Sequence, residues 1–496
     1  MTAPFITLAV VIVLVLPVVG GIVGWFASPR RAGLIAGGSI VVASGFALAL
    51  AIPALLGTRI TGLGGSVVVD ALGALIVVIV AAVGLIAILG TPAHLQHAIE
   101  DGSLKERDPS RLWALMAWFI GGLLAVPLLD NLGLIWVAIE WTTVVSALLV
   151  GLTRTPAAIE AAWKYLILGS VGVGFALLGT LLAYASSVDL LGETSDALAW
   201  TRLQSVAAGL DPALVRLAFV FALVGYGTKA GLAPFHTWLP DAHSQAPSPV
   251  SATLSGATLA VALYALARFQ QVAVGTLGPD LPSALLVALG LLSLAVAVPF
   301  IVAQGDLKRL LAYSSIEHLG VCALALGFGG SLALGGLALH LLAHGLTKAS
   351  LFLAAGGLVA SGRSRRIARL GGGLIGSPAD GRAFLIGSVL LSGLPPSALF
   401  VSEIAIVFGG FQRGWGIAAG IATLLLAAAA AGMLFHVARV VFGSPSRPPT
   451  IAGLRVRHLV AIGAPLAVTV LLGVWSPSGL TDTLNRVAQA LGGTGG

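Results

Sequence analysis

Apolar runs of roughly 20 residues, each long enough to cross a bilayer as a helix, succeed one another along this chain. No other feature limits its fold as much. Hydrocarbon offers no partner for backbone N–H and C=O groups, so a buried run of this length must pair them internally, as a helix does. Segmentation gives about fourteen runs: 5–26, 32–56, 67–90, 112–129, 131–152, 160–185, 213–238, 248–272, 281–303, 308–328, 331–360, 382–412, 415–442 and 458–475. Of 496 residues, 58% are hydrophobic and 9% charged, against about a quarter charged in soluble domains. The chain therefore reads as an all-α polytopic membrane bundle. The first run has no basic n-region and no A-x-A site, so it is expected to be a retained span.

The net charge of +7 is a matter of topology. Taking the connections alternately, seventeen of the 26 basic residues fall on one side, among them Arg30, Arg31, Lys105, Arg154, Lys308, Arg309, Arg365, Arg447 and Arg455. Only Arg59, Arg202, Arg216, Arg268, Arg413 and Arg486 fall on the other. This positive-inside bias places both termini outside the cytoplasm and gives no footprint for nucleic acid. The cluster Arg363, Arg365, Arg366 and Arg369 reads as the same kind of anchor. One cysteine, Cys322, excludes an intrachain disulfide and a cysteine-ligated cluster. There are no convincing strands and no nucleotide fingerprint, so no cofactor is expected here and redox chemistry is left to partners.

Three basic residues, Lys164, Lys229 and Lys348, lie inside predicted spans. Lys229 follows the apolar run 214–224 and precedes four prolines, Pro234, Pro240, Pro247 and Pro249, so its helix is expected to break near Pro234. An unpaired cation in hydrocarbon costs about 2.5 kcal/mol even on the lenient insertion scale. A lysine beside freed backbone therefore implies surrounding protein or water, as along an ion path. A second break is expected at Ser392–Ser397, through Pro395 and Pro396, ahead of Glu403. One break with a buried ionisable residue in each half is the pattern of an inverted-repeat transporter. The implied units are 1–111 (helices 1–3), 112–272 (first repeat), 273–442 (second repeat) and 443–496 (helix 14 and tail).

Glu140 lies mid-span in the fifth helix, and each of two isolated opposite charges is expensive in an apolar bundle, so Glu140 and Lys229 are expected to meet. A buried lysine loses its proton more readily than a solvated one, whereas arginine does not, which suits Lys229 to carry protons. His340, His344 and Lys348 share one helix face at i, i+4, i+8 and read as a proton wire. The two histidines could also ligate a metal, but no third ligand is evident, so no metal site is assigned. Glu403 is the natural end of the wire. Of the adjacent pair Glu317 and His318, one should face the path, and His318 is taken. Lys164 is expected to pair with Glu160 and snorkel, while Asp70 and Asp130 read as helix-end caps. His236, Asp241 and His243 would line the first break.

The stretch Gly227-Thr-Lys-Ala-Gly-Leu-Ala-Pro-Phe-His-Thr-Trp-Leu-Pro-Asp-Ala-His-Ser-Gln-Ala-Pro-Ser-Pro249 resembles the signature of the antiporter-like subunits of respiratory complex I. Asp306-Leu-Lys-Arg-Leu-Leu-Ala-Tyr-Ser-Ser-Ile-Glu-His-Leu-Gly320 is similar to another block of that family. The segments 130–140 and 154–167 look most like the component F branch of hydrogenase-4, which belongs to membrane-bound nickel–iron hydrogenase and formate hydrogenlyase complexes. The resemblance spans nearly the whole chain. It implies proton movement through two half-channels, with Glu140 and Lys229 as the pair, His318 and His344 in the relay, and Glu403 at the exit. Relatives in complex I carry a further lysine in the eighth helix, where this chain has Ala260. Lys348 is the candidate replacement, bridged by Thr258 and water. The chain ends about twenty residues after its last span, so the long lateral helix of the largest such subunit is not expected.

These readings point to a proton-translocating, non-catalytic subunit of a complex I-like or hydrogenase-type oxidoreductase in the inner membrane, with membrane and soluble redox subunits as partners. The alternatives are a sodium/proton antiporter module, the membrane subunit of a bicarbonate-uptake complex, or a non-conducting scaffold.

Overall fold

The computed structural model describes residues 2–444 and 456–492. Among them, thirteen helices are long and apolar enough to cross a membrane. A fourteenth span is interrupted, consisting of Pro378–Leu391 and Ala398–Gln412. The protein is thus a multi-pass all-α bundle, and each expected span has its helix. Arg447 and Arg455 lie outside the described residues.

Three local expectations are corrected. The third span, Ala71–Glu100, continues through Pro92 into a stretch read as a polar connection. A small antiparallel hairpin, Ile60–Gly62 with Val67–Val69, precedes it where no strand was expected. The seventh helix, Pro212–Ala230, stops four residues before Pro234, because Gly231 adopts the left-handed conformation (φ 78°) that ends a helix without a Cβ penalty. The chain resumes helix at Trp238–Gln245 and then at the eighth span, Ser248–Leu277.

Burial differs sharply between spans. The eighth span and the tenth, Leu307–Phe328, are buried along their apolar length, and the eleventh, Gly330–Gly362, nearly so. The first, Ala3–Phe26, and the thirteenth, Gly416–Phe442, turn most of their surface outward, with Ile417 85% exposed. Apolar residues facing out and polar residues packed inward are what a lipid solvent requires of a helical bundle.

Asp70 and Arg268 lock the early helices to the eighth span. Asp70 caps the third helix at the Gly73 N–H (2.8 Å) and accepts from Arg268 Nη2 at 2.6 Å. The Arg268 guanidinium also lies over Trp200 (3.7 Å) and Tyr264 (4.8 Å). Burial alone would raise the Asp70 carboxyl, but the Arg268 charge and hydrogen bond, with Gly73, hold it below its ordinary value of 3.8. Asp70 is therefore a cap and half of a buried ion pair. Asp130 accepts from Thr201 Oγ1 at 2.6 Å.

Candidate functional site

Two polar centres occupy the buried middle of the bundle. The first joins the fifth span (Leu132–Val150), the sixth (Pro156–Leu191) and the seventh. Asn131 caps the fifth helix through the N–H groups of Gly133 and Leu134. Close approach of the sixth and seventh helices depends on Gly225, where a Cβ would overlap the Ala176 backbone. Lys229 is 1% exposed and donates to Thr143 Oγ1 (2.8 Å) and Tyr165 Oη (2.7 Å). Tyr165 in turn bonds Ser146 Oγ at 2.7 Å and stacks on Trp238.

Glu140 stands apart from this contact. Its Oε1 accepts from Ser170 Oγ at 2.6 Å, while Oε2 is buried without a protein partner. Among the described residues no Glu140–Lys229 ion pair forms within 4.0 Å, contrary to the expectation that they meet. The cation has instead found two hydroxyl oxygens, which satisfy its protons without requiring a buried carboxylate beside it. Glu140 remains in electrostatic reach of Lys229.

The break after Lys229 is stitched by side chains. Trp238 Nε1 donates to the Thr228 carbonyl (2.8 Å), and Ala233 N donates to Ser293 Oγ (2.9 Å). Beyond the short helix, Lys308 Nζ donates to the Ala246 carbonyl and Arg365 Nη1 to the Ser244 carbonyl, both at 2.6 Å. These cations satisfy carbonyls that a helix end leaves free. Arg365 therefore does more than anchor the chain at a membrane surface. Of the residues expected to line the break, Asp241 lies in an ion cluster with Lys164 (3.3 Å) and Arg309 (2.8 Å). Lys164 also reaches Glu160 (2.6 Å), as expected from their spacing. His236 is buried with Nδ1 unpaired by protein. His243 is fully buried, stacks on Phe352 (5.1 Å), and has no protein partner at either ring nitrogen.

The second centre joins the tenth, eleventh and twelfth spans. His340 and His344 stack 6.4 Å apart on one face, as their spacing predicts. His340 Nε2 lies 3.1 Å from His318 Nδ1, and His340 Nδ1 lies 2.9 Å from Ser402 Oγ. Ser402 gives its own proton to the Leu399 carbonyl (2.7 Å), so its oxygen accepts from His340 Nδ1–H. His340 Nε2 then carries the lone pair and accepts from His318 Nδ1–H. Glu403 Oε1 lies 3.9 Å from His318 Nδ1. Gly393, in the second break at φ 63°, abuts the Glu403 carboxylate where a Cβ would collide with it. That break contains a cis bond between Pro395 and Pro396, and the first contains one between Ala233 and Pro234.

Between the centres lies Lys348, fully buried, donating to the Leu311 carbonyl (2.6 Å) and Ser314 Oγ (2.5 Å). Glu317 and His243 are within its electrostatic reach. Thr258 makes no direct hydrogen bond to it. The Thr258 hydroxyl turns back to the Thr253 carbonyl (3.4 Å), across a π-helical turn at Leu254–Thr258. The eighth and tenth helices are linked instead by Ser255 and Ser315 hydroxyls at 2.8 Å. Ala260 is buried with no polar atom to offer.

Sequence reasoning did not assign Thr143, Tyr165, Ser170, Ser314 or Ser402. Hydroxyls are common in membrane helices, where they bond their own backbone, so composition does not mark the few that serve a neighbour. Only Ser402, beside Glu403, carried a positional hint.

This arrangement defines a multi-pass membrane protein of the antiporter-like class, with broken helices flanking a buried polar middle. The chain belongs to the family of transmembrane subunits of NADH:quinone oxidoreductase and the Mrp antiporter, whose model matches residues 130–428. It is 39% identical over 382 residues, 77% of this chain and 80% of the other, to the hydrogenase-4 component F homolog of Methylacidiphilum infernorum. A chain of respiratory complex I from Thermus thermophilus superposes with a TM-score of 0.73 at 26% identity, over 94% of this chain and 97% of that one. A chain of the membrane-bound sulfane sulfur reductase, an archaeal respiratory membrane complex, gives a TM-score of 0.84 over 98% of both chains. At 20% identity that likeness speaks for the fold alone.

Proposed function

We propose that this chain moves protons across the cytoplasmic membrane as the antiporter-like subunit of a complex I-like or nickel–iron hydrogenase-type oxidoreductase. Its partners are further membrane subunits and soluble redox subunits, and both termini face away from the cytoplasm, as the basic residues suggest. The repeats 112–272 and 273–442 each contribute one half-path. The observation that carries the reading is how the two buried lysines are held. Lys229 and Lys348 each bond two neutral oxygens, and neither sits in a salt bridge within 4.0 Å among the described residues. A lysine on hydroxyl and carbonyl acceptors can release its proton without stranding a partner carboxylate, so it can cycle.

The route runs from Glu140 past Tyr165 to Lys229, by His243 to Lys348, then through His344, His318 and His340 to Glu403. Buried polar atoms without protein partners on Glu140, His243 and His344 mark where internal water can carry the proton between side chains. His243 supplies the titratable group that Ala260 lacks. Work against the membrane is about 2.3 kcal/mol per charge per 100 mV, which redox chemistry in partner subunits must supply.

Proton uptake by vesicles holding the intact complex tests this. Lys229→Ala and Glu403→Gln complexes should assemble, keep electron transfer and lose uptake. Unchanged uptake in both would leave the chain a scaffold whose path ends at Ala260, and sodium-dependent flux without redox subunits would favour an antiporter module.

A further inference from the structure

The second centre also brings three side chains of metal-ligating type together. His318, His340 and Glu403 each offer one ligand atom, and these atoms lie within 4.8 Å of one another. The histidine nitrogens are 3.1 Å apart, and His318 Nδ1 is 3.9 Å from Glu403 Oε1. Ligands about 2.0–2.1 Å from a tetrahedral ion stand roughly 3.3–3.4 Å apart, so sub-ångström to about 1.5 Å side-chain shifts complete the geometry. We infer that this centre binds a divalent transition-metal ion of the zinc type through His318 Nδ1, His340 Nε2 and a Glu403 oxygen.

Four observations carry the inference beyond proximity. The ligands come from three different helices, so one ion would tie the tenth, eleventh and twelfth spans together. His340 arrives with the correct tautomer, because Ser402 accepts from Nδ1 and leaves the Nε2 lone pair facing the centre. His318 needs only to move its proton to Nε2, which has no protein partner holding it. Glu403 is 13% exposed while the histidines are buried, so the carboxylate is the most accessible of the three ligands. Two imidazoles and one carboxylate suit zinc, and a water completes an open fourth position. The carboxylate also offsets part of the ion's charge in a buried site.

Bound metal would occupy the His340 lone pair and tie up Glu403, stopping proton transfer through this half; that consequence alone rests on the proposed function. The site is tested with metal alone. Purified complex in lipid nanodiscs, titrated with zinc against a fluorescent chelator, should bind one ion saturably. Absorption at the zinc edge should show two nitrogen ligands with oxygen at about 2.0–2.1 Å. His340→Gln and Glu403→Gln should abolish binding, and Ser402→Ala, which keeps all three ligands, should weaken it about 10–100-fold. Absence of saturable binding, or equal affinity in all three variants, would overturn the site. Binding that leaves proton uptake intact would uphold the site and count against the relay instead.

Discussion

The two centres solve the same problem, ionisable groups beside a broken membrane helix, with opposite chemistry. At the first, Lys229 lies just before the break and rests on fixed hydroxyls of Thr143 and Tyr165. Its break is pinned at both ends, by Trp238 and Ser293 on one side and by Lys308 and Arg365 on the other. At the second, the break comes before the acid, and the groups are imidazoles that both donate and accept along one directed chain. A lysine relays by taking a proton on its single nitrogen and releasing another from that same atom, whereas an imidazole takes a proton at one nitrogen and gives it from the other. On the proposed function, the first centre would store charge and the second conduct it.

The sharpest way to break this comparison is His340→Leu, which removes both hydrogen bonds of the conducting chain. Proton uptake should fall by about a hundredfold, the lower range for loss of a positioned proton-transfer group, while assembly and electron transfer persist. Tyr165→Phe removes one of two acceptors from the stored charge and should lower uptake only a few-fold. Thr143 remains as an acceptor for the ammonium. If Tyr165→Phe proved the more damaging of the two, the assignment of storage and conduction would be reversed.

Gly393→Ala probes the second break without touching a titratable group. Its Cβ would meet the Glu403 carboxylate, and a non-glycine residue at φ 63° is strained by about 1 kcal/mol. Uptake should drop measurably with Glu403 intact, and zinc affinity should drop with it. Arg268→Met tests the frame around both centres. Removing one partner of the buried Asp70 pair should cost about 3–5 kcal/mol of stability, with uptake per assembled complex unchanged. The pair also has a pH signature. Asp70 is held below 3.8, so its stabilisation is complete above that value and is lost as pH falls through the lower folded-state value. In Arg268→Met this acid-sensitive share should vanish from the thermal melting profile.

Much of the fold was legible in the sequence, because a bilayer imposes one length and one secondary structure on every apolar run. What escaped was local. The third helix continues through Pro92, since its neighbours can accommodate a proline inside a membrane helix. The seventh ends at Gly231, where a glycine takes the left-handed turn before the prolines are reached. The His340–His344 face followed directly from helical spacing. The partners of Lys229 did not, because charge economy predicts that a cation finds an anion, and in this site two hydroxyls serve. Thr258 makes no direct hydrogen bond to Lys348 for a similar reason: a hydroxyl in a helix prefers a carbonyl of its own backbone.

The claim that a cycling lysine starts the path is tested most directly by Lys229→Arg in the intact complex. Arginine keeps the charge and can bond the same hydroxyls, but it does not give up its proton. Redox-driven proton uptake by vesicles should be lost while electron transfer and assembly continue. Uptake at the wild-type rate in that variant would contradict the account.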